Sequence, residues 1–293
     1  MKKLFSFLII SVVFVSCQRD IVGQGGTTPE QPLPEQTLSN ISYGSDTAQR
    51  MDVYLPAGRT TAVTKAIILI HGGAWISGDK TDMNQFIPVI KSRLSEYAIF
   101  NLNYRLGVPA FPPANPFPTQ ENDVKAAIAF IAGKAADYKY NINKTVILGA
   151  SSGAHLALLQ AYKNASPKLN AVVDLFGPTD MTGLYTFYAS SPVNQFGLQL
   201  LMSGTPTTNA ALYQSSSPIN FVSASSQPTL ILHGTADPIV PYAQSTALKA
   251  KLESNGVYTK MVTYTGAGHG DWDAATFDDA YNQIINFLKD KNP

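Results

Sequence analysis

The sequence predicts an α/β domain: a mostly parallel central sheet with helices on both faces. Three observations predict it. Short unbroken apolar runs such as Ala66–Ile70 recur along the chain, as strands buried on both faces require. Longer segments with apolar residues three and four apart separate them, as at Val124, Ile128 and Ile131. The chain's 293 residues, 45% hydrophobic and 14% charged, are enough to bury one large core.

Residues 1–16 read as a signal peptide. Lys2 and Lys3 precede an apolar run, Leu4–Val15, that is shorter than the ~20 residues a spanning helix needs. Cys17, the only cysteine, follows the small residue Ser16, and this arrangement resembles a bacterial lipoprotein signal. The resemblance implies export, cleavage before Cys17 and a lipid anchor at the cell envelope. An ordinary secretory signal is the alternative. A lone cysteine also excludes an internal disulfide. Residues 17–40 are polar, with Gly25, Gly26, Pro29, Pro32 and Pro34, and read as a flexible tether. The folded domain is expected over 41–293.

Within it, strands are expected at 51–55, 66–70, 97–104, 145–148, 169–176, 229–232 and 257–264. Helices are expected at 81–96 despite Pro88, at 120–136 and at 152–163. A final helix buries Phe277, Tyr281, Ile284 and Leu288. Residues 181–225 break the alternation, being rich in Ser, Thr, Tyr and Phe with weak periodicity. They read as a small cap inserted over the C-terminal edge of the sheet, where such folds bind ligands.

Net charge is +1 from 21 basic and 20 acidic residues, without a basic patch, so no nucleic-acid partner is expected. No H-E-x-x-H or comparable ligand spacing occurs, so neither a metal nor another cofactor is expected. The chemistry gathers in three places. Gly149-Ala150-Ser151-Ser152-Gly153 lies between an apolar run and an amphipathic segment, which is the strand–turn–helix setting of a G-x-S-x-G nucleophile. A serine needs a base and the base an orienting acid, following in the order Ser, acid, His. Of four histidines, His269 in a glycine-flanked loop fits after Asp237, so Ser151, Asp237 and His269 fill the pattern. Asp271 and Asp273 are alternative acids that lie too close in sequence to come from another loop. His71, His155 and His233 read as structural ties. His71-Gly72-Gly73-Ala74-Trp75 follows an apolar run and matches a loop that offers backbone N–H groups to an oxyanion.

With H-G-G-A-W (71–75), N-Y-R-L (103–106), G-A-S-S-G (149–153), H-G-T-A-D-P-I-V-P (233–241) and G-A-G-H-G (266–270), the chain resembles the α/β-hydrolase superfamily. Within it, the chain looks like the esterase/lipase branch, closest to exported feruloyl or acetyl-carbohydrate esterases. The resemblance implies the α/β-hydrolase fold, with Ser151 as nucleophile, His269 as base and Asp237 as acid. It also implies an oxyanion hole from Gly72, Gly73, Ala74 and Ser152. Ala74 stands where a third glycine is frequent. The expected substrate is a small-molecule or carbohydrate-linked ester of small to medium acyl groups, and the only membrane partner is the lipid anchor. Trp75, Tyr185, Phe187 and Tyr188, with Phe196 and Tyr213, are expected to line the substrate pocket. A prolyl-oligopeptidase-like peptidase and a non-catalytic binding module are the alternatives.

Overall fold

A computed structural model of the chain describes residues 31–164 and 166–293. The expected signal segment 1–16 and Cys17 lie outside them. Eight strands, β1 (Gln36–Ser42), β2 (Arg50–Leu55), β3 (Lys65–Ile70), β4 (Tyr97–Leu102), β5 (Thr145–Ala150), β6 (Val172–Leu175), β7 (Thr229–Gly234) and β8 (Thr259–Tyr264), form one sheet. Their order is β1-β2-β4-β3-β5-β6-β7-β8. Pairing is antiparallel at β1–β2 and β2–β4 and parallel from β4 to β8.

The helices are α1 (Phe86–Arg93), α2 (Thr119–Gly133), α3 (Ala135–Tyr138), α4 (Ser152–Tyr162), α5 (Met181–Phe187), α6 (Pro192–Leu201), α7 (Ala210–Ser215), α8 (Ala243–Ser254) and α9 (Ala274–Lys291). Strand β3 explains the apolar runs. Its Ala66, Ile68 and Ile70 join one core with α2 and α4, while Ile67 and Leu69 join a second core with α1 and α9. Both faces of the strand are covered, so every position from Ala66 to Ile70 is apolar.

Four elements depart from expectation. The tether expected to run through residue 40 gives way at Gln36 to β1, an edge strand whose exposed side chains carry no apolar run. The helix expected over 81–96 is a 3-10 turn, Lys80–Met83, followed by α1. Pro88 sits in the first turn of α1, where a missing N–H costs nothing. Helix α8 was not anticipated, because its apolar buried stripe is only Leu248 and Leu252. The weakly periodic insertion contains α5, α6 and α7, short helices packed on one another.

The loop after β4 is held by an ion pair. Arg105 Nη2 lies 2.6 Å from Asp123 Oδ1, its Nε 2.9 Å from Oδ2, and its backbone N–H donates to the same carboxylate. Gln49 Nε2 donates to Asp123 Oδ1 as well. The Asp123 side chain is 1% exposed, so removing the guanidinium strands a buried charge. Two donors remain, which puts Arg105→Ala at the low end of the range, about 3 kcal/mol. The expected readout is a melting temperature lower by roughly 6–10 °C; an unchanged melting curve would refute this.

Candidate active site

Ser151 sits at the turn from β5 to α4 with φ 54° and ψ −121°. Such a backbone is strained for a residue with a side chain, by about 1–3 kcal/mol. The turn is possible because its flanks lack side chains. A Cβ on Gly149 would overlap the backbone of Gly153, and a Cβ on Gly153 would overlap the carbonyls of Ile70 and His71. The Ser151 N–H is fixed to Leu175 O at 2.8 Å. The hydroxyl is therefore presented at the C-terminal edge of the sheet.

The loops after β7 and β8 bring two more groups to it. His269 Nε2 lies 2.8 Å from Ser151 Oγ, and its Nδ1 lies 2.6 Å from Asp237 Oδ2. These partners assign the tautomer: Nδ1–H donates to the carboxylate, and Nε2 accepts from the serine hydroxyl. Burial would raise the Asp237 pKa, but hydrogen bonds from His233 and His269 outweigh it and hold the group well below the usual carboxylate range. Asp237 is thus a fixed anion. His269 packs edge-on against Phe176, ring centroids 4.7 Å apart, which limits its rotation.

The glycine-rich loop stands beside Ser151. A Cβ built on Gly72 would lie 3.1 Å from that of Ser151. Gly73, Ala74 and Trp75 all have positive φ, at 110°, 52° and 63°. Gly73 O accepts from Ile76 N and Ser77 N, closing the turn. Tyr104 Oη donates to His71 O at 3.1 Å and stacks on the His71 ring, tying the loop to the residues after β4. The loop brings Gly72 against the serine, and Ser152 opens α4 directly behind it. An N–H at a helix N-terminus favours developing negative charge.

The structure corrects one expected substrate contact and redistributes the others. Trp75 is 4% exposed and donates through Nε1 to His155 Nδ1 at 3.2 Å. Its indole is buried in the core rather than exposed beside Ser151. His155 in turn donates from Nε2 to Ser216 O, so it locks the insertion to this loop. Burial pulls its pKa down to about 4, and it stays neutral. Tyr185 and Tyr213 pack on each other, and Tyr213 is fully buried; they form the insertion's own core. Tyr188 lies near Asp237, whose charge, after burial, helps push its pKa up to about 12. Phe187 is partly exposed beside Tyr188, while Phe196 faces Phe111 at the surface.

Sequence reasoning assigned His233 only a loop-tying role. The structure places its Nε2 3.0 Å from Asp237 Oδ2 and 3.0 Å from Val240 O, with Nδ1 2.6 Å from Ser245 Oγ. The four-residue spacing in H-G-T-A-D carries the signal, since a tight turn after β7 folds the acid back over the strand end. Asp273 and Asp180 cap α9 and α5, which accounts for them structurally.

Asp174, at the end of β6, is fully buried. Its Oδ1 accepts from Gly177 N, and its Oδ2 has no partner among the described residues. Burial pushes its pKa up to about 7. The folded chain therefore binds a proton there that the unfolded chain, with a pKa near 3.9, has released. Stability should fall as pH rises from about 4 to about 7, by up to roughly 4 kcal/mol. Denaturant titrations of wild type and Asp174→Asn at pH 4.5 and 8 should show this slope in the difference between them; equal slopes would exclude it.

Known proteins resemble this chain in sequence and in structure. The esterase LipQ of Mycobacterium tuberculosis is 29% identical over 265 residues, covering 84% of this chain and 60% of LipQ. This chain therefore spans less than two thirds of that relative's length. Among solved structures, a truncated carbohydrate esterase from gut microbiota superposes with a TM-score of 0.70 at 28% identity, over 87% of this chain and 96% of that one. A bifunctional GH43-CE protein of Bacteroides eggerthii gives 0.74 at 29% identity, over 88% and 35% respectively. The fold is that of the α/β-hydrolase esterases. With the BD-FAE profile matching residues 51–252, the chain belongs to the BD-FAE family.

Proposed function

We propose that this protein is a serine carboxylic-ester hydrolase acting on small to medium acyl esters, with acetyl or feruloyl esters of carbohydrates as the substrate class. The observation that carries the reading is the unbroken hydrogen-bond chain Ser151–His269–Asp237. Ser151 Oγ attacks the ester carbonyl as His269 Nε2 takes its proton. The resulting imidazolium is held by the buried Asp237 anion. The oxyanion is received by the N–H groups of Gly73, Ala74 and Ser152, each such donor contributing about 10²–10³ in kcat. His269 then protonates the departing alkoxide. Collapse leaves an acyl-Ser151, which water hydrolyses with His269 as base. The carbohydrate part of the reading draws on the carbohydrate-esterase neighbour and the GH43-CE neighbour.

The test is turnover of p-nitrophenyl acetate, butyrate and decanoate, acetylated xylan, and a Pro-p-nitroanilide. Ester cleavage with a maximum below C8 is expected. Anilide cleavage without ester cleavage would overturn the reading in favour of a peptidase.

The N-terminal pattern supports export and anchoring through a lipidated Cys17. Cys17→Ala should move the protein from the membrane to the soluble fraction of a Gram-negative expression host; identical fractionation would refute an anchor.

A further inference from the structure

The insertion 181–225 is not the only place beside Ser151 that can receive part of a substrate. A cavity of ≈ 90 Å³ opens on the other face of the sheet, between the Lys80–Met83 turn, α1 and the start of α9. Gly72, Ala150 and Gly270 are among its lining residues, as are the polar Asp82 and Gln85. Ala150 immediately precedes the nucleophile, Gly72 stands against Ser151, and Gly270 immediately follows His269. Its walls include Met83, Phe176 and Ala280, which belong to the core cluster of α1 and α9. Tyr185, Tyr188 and Leu212 of the insertion pack on the opposite cluster.

Size and connectivity decide which half of an ester belongs here. A dry apolar cavity of about 150 Å³ holds one benzene ring. A cavity of ≈ 90 Å³ therefore has room for a two- or three-carbon chain, but not for a pyranose or a hydroxycinnamoyl ring. A sugar alcohol must also continue out to the rest of its saccharide, whereas an acyl group ends. The other two directions from the reacting carbon are taken: the oxyanion turns to Gly73 and Ser152, and the leaving oxygen to His269 Nε2. We propose that this cavity is the acyl pocket, that Met83 and Ala280 set the acyl length it accepts, and that it admits acetyl and propionyl groups while excluding aromatic acyl groups, which narrows the acetyl-or-feruloyl class proposed above to its acetyl branch. The alcohol half then lies on the insertion side, next to Tyr188. This rests on the ester-hydrolase reading above.

The experiment compares kcat/KM for p-nitrophenyl acetate, butyrate and hexanoate and for methyl ferulate in the wild-type protein, Met83→Ala and Ala280→Leu, with circular dichroism to confirm folding. Met83→Val and Ala280→Val replace any variant that fails to fold. One methylene in an apolar pocket discriminates by about 10-fold or more. Wild type should prefer acetate to butyrate by at least that factor and leave methyl ferulate untouched. Met83→Ala should raise the butyrate-to-acetate ratio by about 10-fold, and Ala280→Leu should lower turnover of acetate by a similar factor. Three results overturn the pocket while leaving the hydrolase reading intact: methyl ferulate cleaved as well as acetate, acyl ratios unmoved in both variants, or a shift in alcohol preference alone. A wild-type protein that cleaves no ester overturns the hydrolase reading itself, and the pocket with it.

Discussion

Ser151→Ala is expected to lower kcat for p-nitrophenyl acetate by roughly 10⁵-fold, since losing the nucleophile of a serine triad costs on the order of 10⁴–10⁶. Among the described residues the Ser151 hydroxyl makes one hydrogen bond, donated to His269 Nε2, so its removal leaves the turn intact. Alanine keeps the Cβ and hence the same unfavourable φ of 54°. The melting temperature should therefore stay within a few degrees of wild type. Activity within 10-fold of wild type in a folded Ser151→Ala protein would refute the mechanism. An unfolded variant would mean that the hydroxyl supports the turn, and Ser151→Cys, which keeps a hydrogen-bonding group, would then separate the two roles by acylating without matching turnover.

What was readable in the chain divides along physical lines. Ser151, Asp237 and His269 could be named from sequence because each sits where geometry allows few residue types. The glycines beside Ser151 are required by backbone contact with Ile70, His71 and each other. His269 lies in a glycine-flanked loop at the end of the last strand. Such local constraints leave marks in consecutive residues. The strands β3, β5 and β7 were equally legible, because burial on both faces demands unbroken apolar runs. Edge strand β1 was not, since its stability comes from pairing with β2 and its side chains face solvent. Helix α8 hid for a related reason: two leucines and two polar residues, Gln244 and Ser245, fill its buried side.

Side-chain direction was the other thing the sequence could not tell. Trp75 closes the glycine-rich loop 71–75 and looks available to substrate, yet its φ is 63° and its indole meets His155 instead. The aromatic residues of the insertion were indistinguishable by composition, and only packing separates the buried Tyr213 from the exposed Phe196. The cavity under Met83 and Ala280 has no sequence signature at all. Its walls come from the Lys80–Met83 turn, the loop after β6 and α9, segments nearly two hundred residues apart.

Asp237→Asn carries the second large effect, and the surroundings of the carboxylate fix its mechanism. Oδ1 accepts from the N–H groups of Ile239 and Val240 at 2.8 and 2.9 Å. Oδ2 accepts from His269 Nδ1 at 2.6 Å and from His233 Nε2 at 3.0 Å. An asparagine must keep its carbonyl oxygen on the two backbone donors, because turning it over would leave both N–H groups, that of Val240 buried, facing an NH₂. Its NH₂ then faces His269 Nδ1, which can accept only if the ring proton moves to Nε2. In that tautomer Nε2 donates toward Ser151 and cannot take its proton, a fault that costs about 10⁴ in kcat. His233 suffers the same inversion at its Nε2, where Val240 O still requires a donor, so the amide is disfavoured twice. The expected result is a kcat lower by about 10⁴-fold with KM within a few-fold of wild type. The rate of Ser151 labelling by an organophosphonate should fall in parallel, because that reaction needs the same base. A loss smaller than about 10-fold in both measurements would show that Asp237 does not orient His269.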